Sequence, residues 1–299
     1  MGNPPKALLF DIGGVCVISP FQAILDYELA NDIPPGYINH TISATAPNGA
    51  WQQIERGEVP LDDAWFAHFK SDLQDRKRWE WYWGKILSDP KKANLIPEKH
   101  KAAIKAGKIP EMPDIDAKTM FWNMMRNARS PDPYMYPALK KLKASGRFIM
   151  AALSNNTIFP EGIVDETGKE FVNGIPHDEI AEVSKKAGHA HVLPSNGERL
   201  ENLHDNFDIF MGSAQIGMRK PEPRIYEYAI KEIQKIGRAR GIDIKPSDII
   251  FLDDIGSNLK GAKLAGMGTI KVNLGRTKEA VKELQERVGM QLLGEDSRL

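Results

Sequence analysis

The chain has 299 residues, room for one large domain or for a core with a smaller one. Its 40 basic and 40 acidic residues cancel, so charge gives no reason to expect nucleic acid or an anionic membrane surface as a partner. One cysteine, Cys16, excludes an internal disulfide and suggests a reducing compartment. No apolar run approaches the roughly 18 residues of a membrane helix. The opening MGNPPKALLF lacks the long apolar core of a signal peptide, and Lys6 stands where myristoylation of Gly2 wants Ser or Thr.

In chain order, ALLFDI (7–12) reads as a buried strand that ends in Asp11 and runs into Gly13 and Gly14. Residues 19–130 then show helix-like segments such as FQAILDYELAND, LDDAWFAHFKSDL and RKRWEWYWGKILSD. Trp79, Trp81, Tyr82 and Trp83 have no basic stripe beside them and read as the aromatic seam of a helical bundle. Residues 91–114 read as an exposed, charged connector. An amphipathic helix is expected at 136–146, with Leu139 and Leu142 inward and Gly146 as its stop. RFIMAALS (147–154) is the second strand.

Residues 159–203 are rich in Gly, Pro and charge and read as a long surface loop. Its histidines, His177, His189 and His191, with His204 beside it, read as solvated, although His189 and His191 have a spacing that could bind metal. FDIFMGS (207–213) is a third strand. A helix at 221–237 follows, with Ile225, Tyr228 or Ala229, and Ile233 inward. DIIFLDD (248–254) is a fourth strand, SNLKGAKLAGMG (257–268) a helix with Ser257 as its cap, and GTIKVN (268–273) a fifth strand. This alternation defines an α/β protein with a Rossmann-like parallel sheet core and chemistry at the carboxyl ends of the strands. The core takes 1–18 and 131–299, a helical block of 19–130 is inserted after the first strand, and 159–203 is a surface insertion within the core.

The polar residues at the strand ends form one group: Asp11, then Ser154 and Asn155, then Lys220, then Asp253 and Asp254. Three carboxylates gathered at one edge repel unless a cation sits among them. Oxygen ligands with waters suit Mg²⁺. A lysine and neutral donors beside them suit a phosphate dianion, which a carboxylate nucleophile could take as an acyl-phosphate.

FDIGGV, ALSNN, GMRKPEPRIY and FLDDIGSNLKGAKLAGM resemble, in order, the four motifs of the haloacid dehalogenase superfamily. The branch they resemble includes the N-terminal phosphatase domain of soluble epoxide hydrolases and its stand-alone relatives. The resemblance covers about 1–18 and 130–290 and implies an Mg²⁺-dependent phosphatase acting on a small phosphorylated metabolite. It implies Asp11 as nucleophile, Lys220 paired with phosphate and Asp11, and Ser154, Asn155 and the Gly13–Gly14 turn around the phosphate. It also implies Asp254, Asp11 and the Gly13 carbonyl on the metal, with Asp253 and Asn258 supporting the metal waters and the lysine, and a cap that closes over substrate.

One residue departs from the pattern. Phosphatases of this superfamily usually carry an aspartate two positions after the nucleophile, as acid and base, and here that residue is Gly13. Three readings follow, in order. The first is a phosphatase with a good leaving group, such as a sugar 1-phosphate, or with its proton supplied by the cap or the substrate. The second is a catalytically weak binding protein. The third is a 2-haloacid dehalogenase, against which Asp253 and Asp254 argue. Cys16 reads as a core residue. The ending Ser297-Arg298-Leu299 is one cationic swap from a peroxisomal address, so an import receptor is the expected partner and the peroxisome the expected location, with the cytoplasm as the alternative.

Overall fold

The computed structural model describes residues 4–171 and 202–294. His177, His189, His191 and the terminal tripeptide lie outside them. Among the described residues, no helix is long and apolar enough to cross a membrane.

The chain divides into two compact units. One comprises the described parts of Met1–Ser19, Arg126–Thr157 and Val172–Leu299, the other Pro20–Met125 and Ile158–Phe171. The first is built on strands β1 (Ala7–Phe10), β2 (Ile149–Ser154), β3 (Ile209–Gly212), β4 (Ile249–Asp253) and β5 (Gly268–Lys271). All pairs are parallel, in the order β3-β2-β1-β4-β5. Alternation along the strands splits the apolar runs between two faces. Leu8, Phe10, Met150 and Leu252 pack with Leu139, Leu142 and Leu284, from the helices Met135–Ser145 and Thr277–Val288. Leu9, Leu153 and Phe251 pack with Tyr226, Ile233 and Leu259, from the helices Pro223–Ala239 and Gly256–Leu264. The central strands are therefore buried on both sides, which is why they read as unbroken apolar runs.

Two local expectations shift. In Pro223–Ala239, Ile225, Ala229 and Ile233 face inward as expected, but of the two tyrosines it is Tyr226 that is buried, while Tyr228 is only partly so. Both fit a helical period, and Gly261 decides between them: a Cβ there would stand 2.5 Å from the Tyr226 ring, so its absence makes the room. Ser257 caps nothing, because the helix Gly256–Leu264 starts one residue earlier, after Ile255, and Ser257 is exposed.

The helical unit is held by an aromatic core. Trp79 and Trp83 are buried, while Trp81 on the opposite helix face is 53% exposed and stacks on His40. The connector 91–114 is pinned rather than loose. Trp79 Nε1 donates to the Pro110 carbonyl at 2.8 Å, and the His100 ring lies edge-on to Trp83 with Nε2 2.8 Å from the Asp32 carbonyl. The start of the 159–203 stretch is likewise no loop on the sheet unit. Asp165 Oδ1 accepts the Thr167 and Lys169 amides and closes a tight turn, and Phe159 and Phe171 pack on Trp122 of the helical unit. His204 is exposed, its ring stacked on Phe210.

Glu28 is a charged residue inside the helical unit. Glu28, 1% exposed, accepts the Gly36 and Ile38 amides at 2.7 Å each and so closes the start of the helix Tyr37–Ala44. Burial pushes its carboxyl up to about 7, against the two amide bonds that favour the ion. A carboxyl raised on folding stabilises the fold fully below its unfolded value near 4.5, and the contribution is lost as pH rises through about 7. Urea midpoints of wild type and Glu28→Gln across this range are expected to show the wild-type advantage shrinking as pH rises. A pH-independent difference would remove Glu28 as the cause.

Candidate active site

The register brings the sequence-predicted residues together. Phe10 lies between Ala152 and Leu252 on its neighbours, so the residues just beyond β1, β2 and β4 emerge side by side. Asp11 extends β1 by one bond, its amide donating to the Leu252 carbonyl at 2.9 Å. Lys220, 1% exposed, bridges Asp11 Oδ1 and Asp253 Oδ2, 2.8 Å from each, with its Nζ 5.3 Å from the centre of the Phe251 ring. The carboxylates of Asp11, Asp253 and Asp254 can all bring an oxygen within 4.8 Å of one another.

The three carboxylates play different parts. Asp253 is fully buried and saturated. Besides Lys220 it accepts the Ile255 amide at 2.7 Å and the Asn258 Nδ2 at 3.1 Å on both oxygens. It holds Lys220, the support for the lysine that the motif resemblance implies, and so acts on the site by positioning that ammonium. Asn258, expected at the metal, turns its amide nitrogen to Asp253. Asp11 Oδ1 takes the Ile12 amide at 2.7 Å as well as Lys220. Asp254 is the exception: its Oδ1 is buried with no hydrogen-bond partner.

Electrostatics follow from this count. Burial pushes the Asp11 carboxyl well above the usual range, and Asp253 and Asp254 add to it against the pull of Lys220. Burial and the Asp253 charge push Asp254 up to about 6. Burial pulls Lys220 down, but Asp11 and Asp253 outweigh it and hold the ammonium charged. One buried cation thus faces two buried carboxylates and a third, Asp254, that is half-buried. The unpartnered Asp254 oxygen and this surplus of negative charge fit a hard divalent cation bound through oxygen.

Gly13 and Gly14 lie in a turn in which the Gly14 amide donates to the Val17 carbonyl at 2.9 Å. Gly14 needs to be glycine twice over. Its φ is +78°, and a Cβ would stand 2.8 Å from Asp254 Oδ2 and 2.9 Å from Leu274 Cδ2. Gly13 has no positive φ, so its lack of a side chain is not imposed by the backbone. Ser154 ends β2 with its hydroxyl 3.4 Å from the Asn155 carbonyl, a weak contact that leaves it available to a ligand. The Asn155 side chain has partners that the sequence does not reveal. Its Oδ1 accepts the Lys220 amide at 2.8 Å and its Nδ2 donates to the Lys220 carbonyl at 3.0 Å, so its side chain is engaged with protein rather than open to phosphate. Asn156, which the sequence reading leaves without a role, is bonded to Ser213, Ala214 and Gln215. Cys16 is buried, its Sγ 3.3 Å from the Asp11 carbonyl.

A lysine lies between two carboxylates at the ends of adjacent parallel strands, with an oxygen of a third carboxylate unpartnered, and comparison with known families says which proteins the chain resembles. The family model of haloacid dehalogenase-like hydrolases matches residues 5–266, and the chain belongs to that family. The chain is 25% identical over 291 residues to acyl-CoA dehydrogenase family member 10 of Mus musculus, covering 97% of this chain and 20% of that protein. Bifunctional epoxide hydrolase 2 of Mus musculus is 40% identical over 89 residues, which are 30% of this chain and 14% of that one. Phosphatase MT3486 of Mycobacterium tuberculosis (strain CDC 1551 / Oshkosh) is 36% identical over 80 residues, 26% of this chain and 33% of that one. The chain spans only a small part of the first two relatives. The resemblance carried by the four motifs is thereby borne out.

Proposed function

We propose that the protein is a phosphoric monoester hydrolase acting on a small phosphorylated metabolite. The observation that carries this reading is Asp11, clamped by Lys220 on one oxygen beside an Asp254 whose buried oxygen lacks a partner. The Lys220 and Ile12 bonds both fall on Asp11 Oδ1, which leaves Oδ2 as the attacking atom. Attack on phosphorus forms an aspartyl-phosphate at Asp11 as the P–O bond to the leaving group breaks; water then cleaves it to phosphate and regenerates the carboxylate. Lys220 neutralises charge on the phosphoryl oxygens as it develops, and the Ser154 hydroxyl donates to one of them. Asp11 and Asp254, with the Gly13 carbonyl, would hold Mg²⁺, which neutralises the carboxylates and the substrate dianion. Gly13 carries no proton to the leaving oxygen, so the favoured substrates are esters whose leaving group departs without one, a sugar 1-phosphate among them.

The test is phosphate release from an aryl phosphate and a sugar 1-phosphate with Mg²⁺. Asp11→Asn is expected to abolish turnover of both while the protein stays folded. Halide release from a 2-haloacid without metal, or binding of phosphate ligands with no turnover of any, would refute the phosphatase reading.

A further inference from the structure

Two successive asparagines follow β2, and both reach across to the segment that carries Lys220. Asn155 brackets the Lys220 residue itself, accepting its amide at 2.8 Å and donating to its carbonyl at 3.0 Å. Asn156 grips the other end of the segment. Its amide donates to Ser213 Oγ at 2.9 Å, its Oδ1 accepts the Ala214 amide at 3.1 Å, and its Nδ2 donates to Gln215 Oε1 at 3.1 Å. Gly212 makes room for this grip: a Cβ there would stand 2.1 Å from Gln215 Oε1 and 2.6 Å from Asn156 Nδ2. The short helix Ser213–Ile216 is a single turn, closed by Gly217 in the left-handed region, and has little hold of its own.

We propose that Asn155 and Asn156 are positioning residues, whose side-chain amides hang residues 213–220 from the end of β2 and thereby set the place of Lys220 Nζ. The chain of restraint runs from strand to ammonium. β2 is locked between β1 and β3, the Asn155 amide fixes both polar atoms of the Lys220 backbone, and the side chain then reaches Asp11 and Asp253. A planar amide suits this task, since it offers one acceptor and one donor at a fixed separation to a peptide that presents one of each. Aspartate would keep the acceptor and lose the donor. This inference rests on the proposed phosphatase reading for its kinetic consequence, but its structural part does not.

The test has two arms. The ammonium of Lys220, buried between two carboxylates, exchanges slowly enough to give a ¹H–¹⁵N signal, assigned by its loss in a Lys220→Met variant. Asn155→Asp and Asn155→Ala are expected to shift or broaden that signal, alanine more than aspartate, and Asn156→Ala to do so more weakly. In the kinetic arm the Asn155 variants lower kcat by about a hundredfold, the order expected for a misplaced catalytic group, with KM changing far less. If Asn155→Ala does not fold, Asn155→Asp decides. An unmoved Lys220 signal in a folded Asn155 variant overturns the proposal. If that variant also loses affinity for inorganic phosphate in the presence of Mg²⁺, its amide binds the anion directly. A moved signal in a protein with no phosphatase activity keeps the positioning role and refutes the phosphatase reading instead.

Discussion

Gly13→Asp is expected to raise kcat on an alkyl phosphate by about 10²–10⁴, the usual contribution of a general acid–base group. The gain should be far smaller on an aryl phosphate, whose leaving group departs with little help. Position 13 has no positive φ, so a side chain enters without backbone strain, and the change leaves Gly14 and its close approach to Asp254 intact. The ratio of the two gains is the measurement that counts. Equal gains on both substrates would mean the new carboxylate acts through charge. No gain on either, in a folded protein that still binds Mg²⁺, would mean that another group already supplies the proton.

Replacing Lys220 by methionine is expected to destabilise the sheet unit by about 3–5 kcal/mol at neutral pH, the cost of leaving buried ionic partners uncompensated. Methionine keeps much of the volume, so the loss is electrostatic rather than a cavity effect. The sign with pH follows from the carboxylates. Burial raises the Asp11 carboxyl and Lys220 pulls it back, so without the ammonium Asp11 takes up a proton more readily in the folded state than in the unfolded chain. The deficit relative to wild type is therefore small below about pH 4, the unfolded carboxylate range, and grows as pH rises through the raised folded value of Asp11. Mg²⁺ should recover part of it by supplying another positive charge. Denaturant midpoints across pH, with and without Mg²⁺, check this; a deficit that ignores both pH and metal would show that Lys220 does not offset these charges.

The sheet was legible because its strands are buried on both faces, and an unbroken run such as RFIMAALS has few other homes. The candidate site was legible for a related reason: a carboxylate or lysine directly after such a run must surface at a strand end. What sequence could not show is which atom of a polar side chain is already engaged. No spacing reveals that both ends of the Asn155 amide lie on Lys220, or that Asp253 spends both its oxygens on Lys220, Ile255 and Asn258. Glu28 was passed over because the helix around it reads simply as helical, and nothing in the local pattern marks one glutamate as buried. Phe159 and Phe171 sit in a stretch of turn residues and charge, so their packing on Trp122 depends on a tertiary fit that composition hides.

The aromatic seam has an optical consequence. The chain has six tryptophans, at positions 51, 65, 79, 81, 83 and 122, and every one falls within Pro20–Met125. Indole emission therefore reports on the helical unit alone, and the sheet unit with Asp11 and Lys220 is dark to it. Far-ultraviolet circular dichroism sees both. Melting curves from the two probes coincide only if the units unfold together, so a single unlabelled sample reveals whether the inserted helices share the stability of the sheet or keep their own.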